Sequence, residues 1–277
     1  MPGGEGTGCR VSYRLPFADG TMHRNNFQHD GLNLSYLDTG EGGETLIALH
    51  SHWMEGQTFA SLAAALAPAF RVIALDQRGH GCSDHASTYT RDDYLGDLDA
   101  LVAHLGIARA VLLGNSLGGV NAYQFAARRP HWVRGLIIED IGAVIGDDTS
   151  FALAWSGVFE TRQDLEKRIG PRFVPYLADS IRSVGGGWRL AFDPQDMVKS
   201  QTCLNGDHWA DWRASSCPAL LIRGESSRVT TPEHMEEMAR RRPNTLLRVL
   251  RGGHLVHFDN PDGFNAVVLE FLKQLPA

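Results

Sequence analysis

The chain predicts an α/β protein, a mostly parallel sheet flanked by helices with one inserted helical segment. Three observations lead there. Short apolar, β-branched runs at 45–49, 71–75, 110–113, 135–138, 218–223 and 245–250 alternate with stretches of helical period, and strands separated by helices pair in parallel. The run at 110–113 turns through Gly114-Asn115-Ser116-Leu117-Gly118 straight into an alanine-rich helix, a strand–turn–helix whose flanking glycines relieve collisions in a tight reversal. The alternation then stops after Gly142, yet the interval holds Phe151, Trp155, Phe159, Phe173, Trp188, Trp209 and Trp212, too many aromatics for a disordered loop. A chain of 277 residues accommodates one such domain with its insertion.

Taken in order, residues 1–24 are glycine-rich with Pro2 and Pro16 and read as a loose arm. Asp30-Gly31 makes the turn of a hairpin whose second strand, 32–37, alternates apolar and polar residues. The strand at 45–49 ends at His50, a helix at about 57–66 follows, and the strand at 71–75 runs into the glycine-broken loop from Asp76 to Ser83. Residues 91–105 place Leu95, Leu98, Leu101, Val102 and Leu105 on one helical face. The strand at 135–138 closes in Glu139-Asp140. The insertion, 142–212, is expected to be a helical lid: 161–169 forms a helix stopped by Gly170, and Pro175 opens another that ends before Gly185-Gly186-Gly187. The last strands, a helix through 233–241 and a final helix at 263–275 complete a core of 25–141 and 213–277.

Hydrophobic content of 43% and charged content of 21% are ordinary for a globular protein. A net charge of −6 argues against a nucleic-acid partner. No apolar run is long enough for a bilayer and the first residues show no leader pattern, so the expectation is a cytoplasmic protein without membrane association. Cys9, Cys82, Cys203 and Cys217 form no C-x-x-C pair and read as free thiols. His50-x-His52 with His80 and His85 lacks the acidic ligands that a metal loop continues with, and no cofactor fingerprint or phosphate loop is present. Neither a metal nor a cofactor is expected.

A serine hydroxyl needs a base. His254, in the glycine-preceded loop after the last strand, is delivered to the same carboxyl edge of the sheet as Ser116. His257 points elsewhere.

With these residues in hand, from about Phe27 to Leu275 the chain resembles the α/β-hydrolase superfamily, in the order nucleophile, acid, histidine. The matches are Leu49-His50, the loop Asp76-x-Arg78-Gly79-x-Gly81-x-Ser83, the elbow and Gly252-Gly253-His254 with Pro261 downstream. The resemblance implies an acyl-enzyme on Ser116 with His254 as base and the backbone amides of His52 and Leu117 as oxyanion donors. Two features depart from it. His50-Ser51-His52-Trp53 replaces the usual histidine-glycine, and Ser227 stands where many members carry the acid. A hydroxyl orients an imidazole but does not stabilise its cation as a carboxylate does. Asp140 occupies the alternative acid position, after the strand that follows the elbow helix, as in haloalkane dehalogenases and some small bacterial esterases. A subset of those esterases also has a serine at the usual acid position, joining a four-residue network. The implied set is therefore Ser116, His254 and Asp140 with Ser227 auxiliary; Glu139 and Glu225 are the substitutes for the acid, and only one of Glu139 and Asp140 faces the site because side chains alternate along a strand. Trp53, Trp155, Phe159, Trp188 and Trp209 are candidates for an apolar substrate wall. The expected substrate is a small ester. The same triad also serves carbon–carbon, lactone or thioester hydrolysis, and a ligand-binding relative without turnover is the alternative from another class.

Overall fold

The computed structural model describes residues 22–40 and 42–276. In chain order the elements are β1 (His23–His29), β2 (Leu32–Asp38), β3 (Glu44–Leu49), α1 (Ala60–Leu66), β4 (Phe70–Asp76), α2 (Arg91–His104), β5 (Ala110–Asn115), α3 (Leu117–Arg128) and β6 (Val133–Glu139). The insertion contributes β7 (Val144–Ile145), α4 (Arg162–Ile169), α5 (Val174–Leu177), β8 (Ile181–Val184), β9 (Gly187–Leu190), α6 (Pro194–Leu204), β10 (Gly206–Asp207) and α7 (Trp209–Ala214). Then come β11 (Ala219–Gly224), α8 (Pro232–Arg241), β12 (Thr245–Leu250), α9 (Val256–Asp259) and α10 (Pro261–Gln274).

Eight strands form one sheet in the order β1-β2-β4-β3-β5-β6-β11-β12. The β1–β2 and β2–β4 pairs are antiparallel and the rest parallel. The expected architecture is borne out. Both faces of the sheet are covered, so the central strands are buried throughout and alternate between two cores. In β3, Ile47 and Leu49 face the side of α2 and α3, while Leu46 and Ala48 face α1 and α10. Local chemistry sets the helix starts: Thr90 and Asp93 form a capping box on α2, and Asp193, Thr231 and Asn260 cap α6, α8 and α10 ahead of a proline at the first helical position.

The segment after Pro175 departs from expectation. Helix α5 is a single turn, and the chain then forms the β8–β9 hairpin. Ile181 and Val184 are β-branched, and Gly185-Gly186 supplies the turn, with Gly186 at φ 94°. The cysteine expectation is also corrected: Cys203 and Cys217 are free, but Cys82 is disulfide-bonded, because spacing along the chain says nothing about approach in space. Cys9 lies outside the described residues, as does most of the expected N-terminal arm. Among the described residues, no helix is long and apolar enough to cross a membrane.

At the β5–α3 turn a Cβ on Gly114 would collide with the Gly118 carbonyl, and one on Gly118 with the Leu49 carbonyl of the adjacent strand. Gly118→Ala should therefore cost about 2–3 kcal/mol, read as a lower urea midpoint at unchanged slope. An unchanged midpoint would mean that the turn has room to relax.

Candidate active site

Ser116 sits between β5 and α3 with φ 53° and ψ −116°, a conformation that costs a non-glycine residue strain and is held by its surroundings. Its amide donates to the Glu139 carbonyl at 3.1 Å, and its carbonyl accepts from Gly119 at 2.9 Å and Val120 at 3.1 Å, starting the helix. The first amides of α3, that of Leu117 among them, have no intrahelical acceptor and carry the positive end of the helix dipole.

The loop after β12 brings His254 to the same edge. His254 Nδ1 lies 2.7 Å from Asp140 Oδ2, so the ring donates from Nδ1 and leaves Nε2 as the free acceptor. Asp140 is fully buried, and its carboxylate is satisfied on both oxygens. Ser227 Oγ donates to Oδ2 at 2.5 Å; Thr230 Oγ1 donates to Oδ1 at 2.7 Å and the Gly224 amide at 3.4 Å. Ser227 thus touches the aspartate rather than the imidazole. Glu139 faces the other way, receiving the amide and Nδ1 of His257 at 2.9 and 2.8 Å, while His257 Nε2 meets Thr58 Oγ1 at 2.7 Å. Glu225 is exposed. Asn115, fully buried, donates to the carbonyls of Glu139 at 3.2 Å and His254 at 3.1 Å, tying the elbow, the end of β6 and the loop after β12 together.

Beneath the loop 50–53, His50 donates from Nδ1 to the Ser51 carbonyl at 2.7 Å and accepts the Gln77 amide on Nε2 at 3.0 Å. That pattern requires a neutral ring, and burial pushes its pKa down to about 4. His52 reaches Ser200 Oγ of α6 at 2.8 Å, itself 2.8 Å from Tyr94 Oη. Burial, then the charge of Arg91, push His52 down to about 3. Trp53 follows at φ 71°.

A cavity of about 640 Å³ opens over Ser116 and His254, lined also by Ser51, His52, Trp53, Phe151, Phe173 and Tyr176. Of the expected aromatic wall, Trp53 lines it. Trp155 stands behind, 5.3 Å from both the Trp53 and Phe173 ring centres. Phe159, Trp188 and Trp209 do not line it. Phe159 and Trp188 are bridged backbone to backbone at 2.8 and 2.7 Å within the insertion, and Trp209 lies under Arg241 at 4.4 Å and beside His234. Phe151, Phe173 and Thr230 carry no distinguishing signal in the sequence; Thr-Thr-Pro reads there as a helix start, and only Thr231 caps α8.

A family model described as the alpha/beta hydrolase family matches residues 42–267, and the chain belongs to that family. It is 31% identical over 235 residues to 2-(acetamidomethylene)succinate hydrolase of Mesorhizobium japonicum, spanning 79% of this chain and 84% of that protein. It is 31% identical over 277 residues to 2-hydroxy-6-oxononadienedioate/2-hydroxy-6-oxononatrienedioate hydrolase of Burkholderia vietnamiensis, spanning 90% and 94%. Among solved structures, an E-2-(acetamidomethylene)succinate hydrolase matches with a TM-score of 0.82 at 26% identity over 91% of this chain and 99% of the other. A marine microorganism esterase matches at 0.75 and 26%, over 86% and 98%.

The buried neutral histidines set a pH dependence. His50 titrates near 6.5 unfolded and about 4 folded, so below 6.5 the unfolded chain binds protons that the native ring refuses, and stability falls as pH drops through that window. The loss between pH 6.5 and 4 should be about 2–3 kcal/mol smaller in His50→Gln than in the wild type, measured by urea unfolding at stepped pH. Parallel curves would refute the assignment.

Proposed function

We propose that this α/β hydrolase is a serine esterase working through an acyl-enzyme. The observation that carries the reading is the 2.7 Å contact of His254 Nδ1 with the buried Asp140 carboxylate, at the sheet edge where Ser116 stands. With Nδ1–H committed to Asp140, Nε2 is the basic nitrogen. It takes the hydroxyl proton of Ser116 as Oγ attacks the ester carbonyl carbon, and the carbonyl π pair moves onto oxygen. The amides of His52 and Leu117 receive that oxyanion, aided by the α3 dipole. Collapse restores the carbonyl and breaks the bond to the alcohol oxygen, which leaves with the proton now on Nε2. Water, deprotonated by the same nitrogen, repeats the attack on the acyl-serine and releases the acid.

Asp140 holds the ring in this tautomer and stabilises its cation; Ser227 and Thr230 keep the carboxylate oriented. The segment 142–212 acts as the lid, supplying Phe151 and Phe173 to the cavity and Ser200 to the His52 ring. The relatives named above are hydrolases and an esterase, which supports turnover over a binding role. Asn115, the elbow residue before the serine, has its amide engaged with two backbone carbonyls and does not line the cavity.

Intact-mass labelling with a fluorophosphonate, alongside hydrolysis of 4-nitrophenyl acetate, tests the reading. One label per chain is expected, absent in Ser116→Ala. Asp140→Asn should lower kcat by roughly three to four orders of magnitude, since the amide no longer fixes the tautomer or stabilises the cation, and Ser227→Ala by about tenfold, one hydrogen bond's worth. A folded wild type that neither labels nor turns over the ester would overturn the proposal.

A further inference from the structure

Most arginines of the described chain face a carboxylate or backbone acceptors: Arg24 pairs with Asp76, Arg71 with Asp38, Arg78 with Asp97, Arg129 with Asp99, and Arg182 with Glu55. Two lining the catalytic cavity do not. Arg172 enters from the turn before α5, and Arg228 from the loop after β11, next to Ser227. Among the described residues neither forms an ion pair. Arg172 lies with its guanidinium carbon 5.3 Å from the Phe173 ring centre, so its planar group is placed by an aromatic that itself lines the cavity while its donors stay free. Two carboxylates share the lining, Asp147 and Asp148, but neither pairs with an arginine, and Asp148 Oδ1 is engaged by the Ser150 amide at 2.8 Å.

From these observations we infer an anion subsite: Arg172 and Arg228 receive an ionised carboxylate carried by the substrate, apart from the group that is hydrolysed. The inference rests on the serine-esterase reading and narrows it to small esters that bear a second, free carboxylate. A guanidinium presents two parallel N–H donors that match a carboxylate, and the partly apolar cavity that excludes water around the bound ester strengthens the pair relative to bulk solvent. The cavity volume of about 640 Å³ holds a small diacid monoester beside the nucleophile.

The test compares charged esters with neutral isosteres in the full chain. Monoethyl glutarate carries the charge on the acyl side and acetoxyacetate on the alcohol side; ethyl pentanoate and propyl acetate are their neutral partners. In the wild type at least one charged ester should exceed its partner in kcat/KM by roughly tenfold or more. Arg172→Gln and Arg228→Gln should each collapse that ratio, mainly through KM. Glutarate, titrated by calorimetry, should bind the wild type and bind each variant about tenfold more weakly. A labelled, active enzyme that hydrolyses neutral esters as fast as charged ones, or whose preference survives both substitutions, would overturn the subsite and leave the esterase reading standing. Glutarate binding lost in both variants, in a protein that takes no fluorophosphonate label, would sustain the anion site and overturn the esterase.

Discussion

A serine oxygen can stand clear of the sheet only if the chain turns from β5 into α3 with almost no space between strand and helix. Gly114 and Gly118 make that approach possible, each facing a backbone carbonyl where a Cβ would collide. The helix begins at once, so its unsatisfied amides lie beside the serine, and the proposed nucleophile and one proposed oxyanion donor come from the same few residues. The strain at Ser116, φ 53°, is held by the Glu139 carbonyl on one side and the first turn of α3 on the other.

Glu139 and Asp140 then divide the work of one strand end. Alternation sends Glu139 to one face, where His257 and Thr58 satisfy it, and Asp140 to the other, where His254 arrives. A fully buried carboxylate is tolerated only with its acceptor capacity used, and Ser227, Thr230 and Gly224 supply the donors that His254 leaves unmade. Ser227 thus donates to Asp140, the proposed acid, instead of standing in for it. The insertion is bound to the same machinery through Ser200 on the His52 ring and Tyr176, which donates to Asp259 at 3.0 Å while Asp259 accepts the Gly253 amide at 2.7 Å beside the base.

How much of this was legible in the sequence follows from how local each cause is. The elbow was, because its steric logic is contained in five residues, and so were the mostly parallel sheet and helices α2, α4, α8 and α10, each of which starts on a capping side chain, whereas α6 and α7 of the insertion were not expected. Asp140 was reached through resemblance, since Ser227 breaks the commoner pattern and neither residue announces its partner. Thr230 left no signal, because its role depends on the bend of the loop after β11. Trp155, Phe159, Trp188 and Trp209 are alike in composition, and which aromatic lines the cavity is decided by how the insertion packs; Phe151 and Phe173, stacked at 5.6 Å, took the place expected of the tryptophans. The β8–β9 hairpin was hidden for a similar reason, as its β-branched residues sat behind a proline that suggested a helix.

The hydrogen bond between His254 and Asp140 is the contact on which the proposed nucleophile activation, the ring tautomer and the proposed role of Ser227 all depend. Proton NMR in water observes it directly as a deshielded imidazole N–H resonance, distinguished from that of the His257–Glu139 pair by its loss in His254→Gln. The same resonance should vanish in Asp140→Asn and persist, shifted, in Ser227→Ala. A resonance assigned to His254 that survives in Asp140→Asn would show that another group holds the imidazole, and would contradict the account.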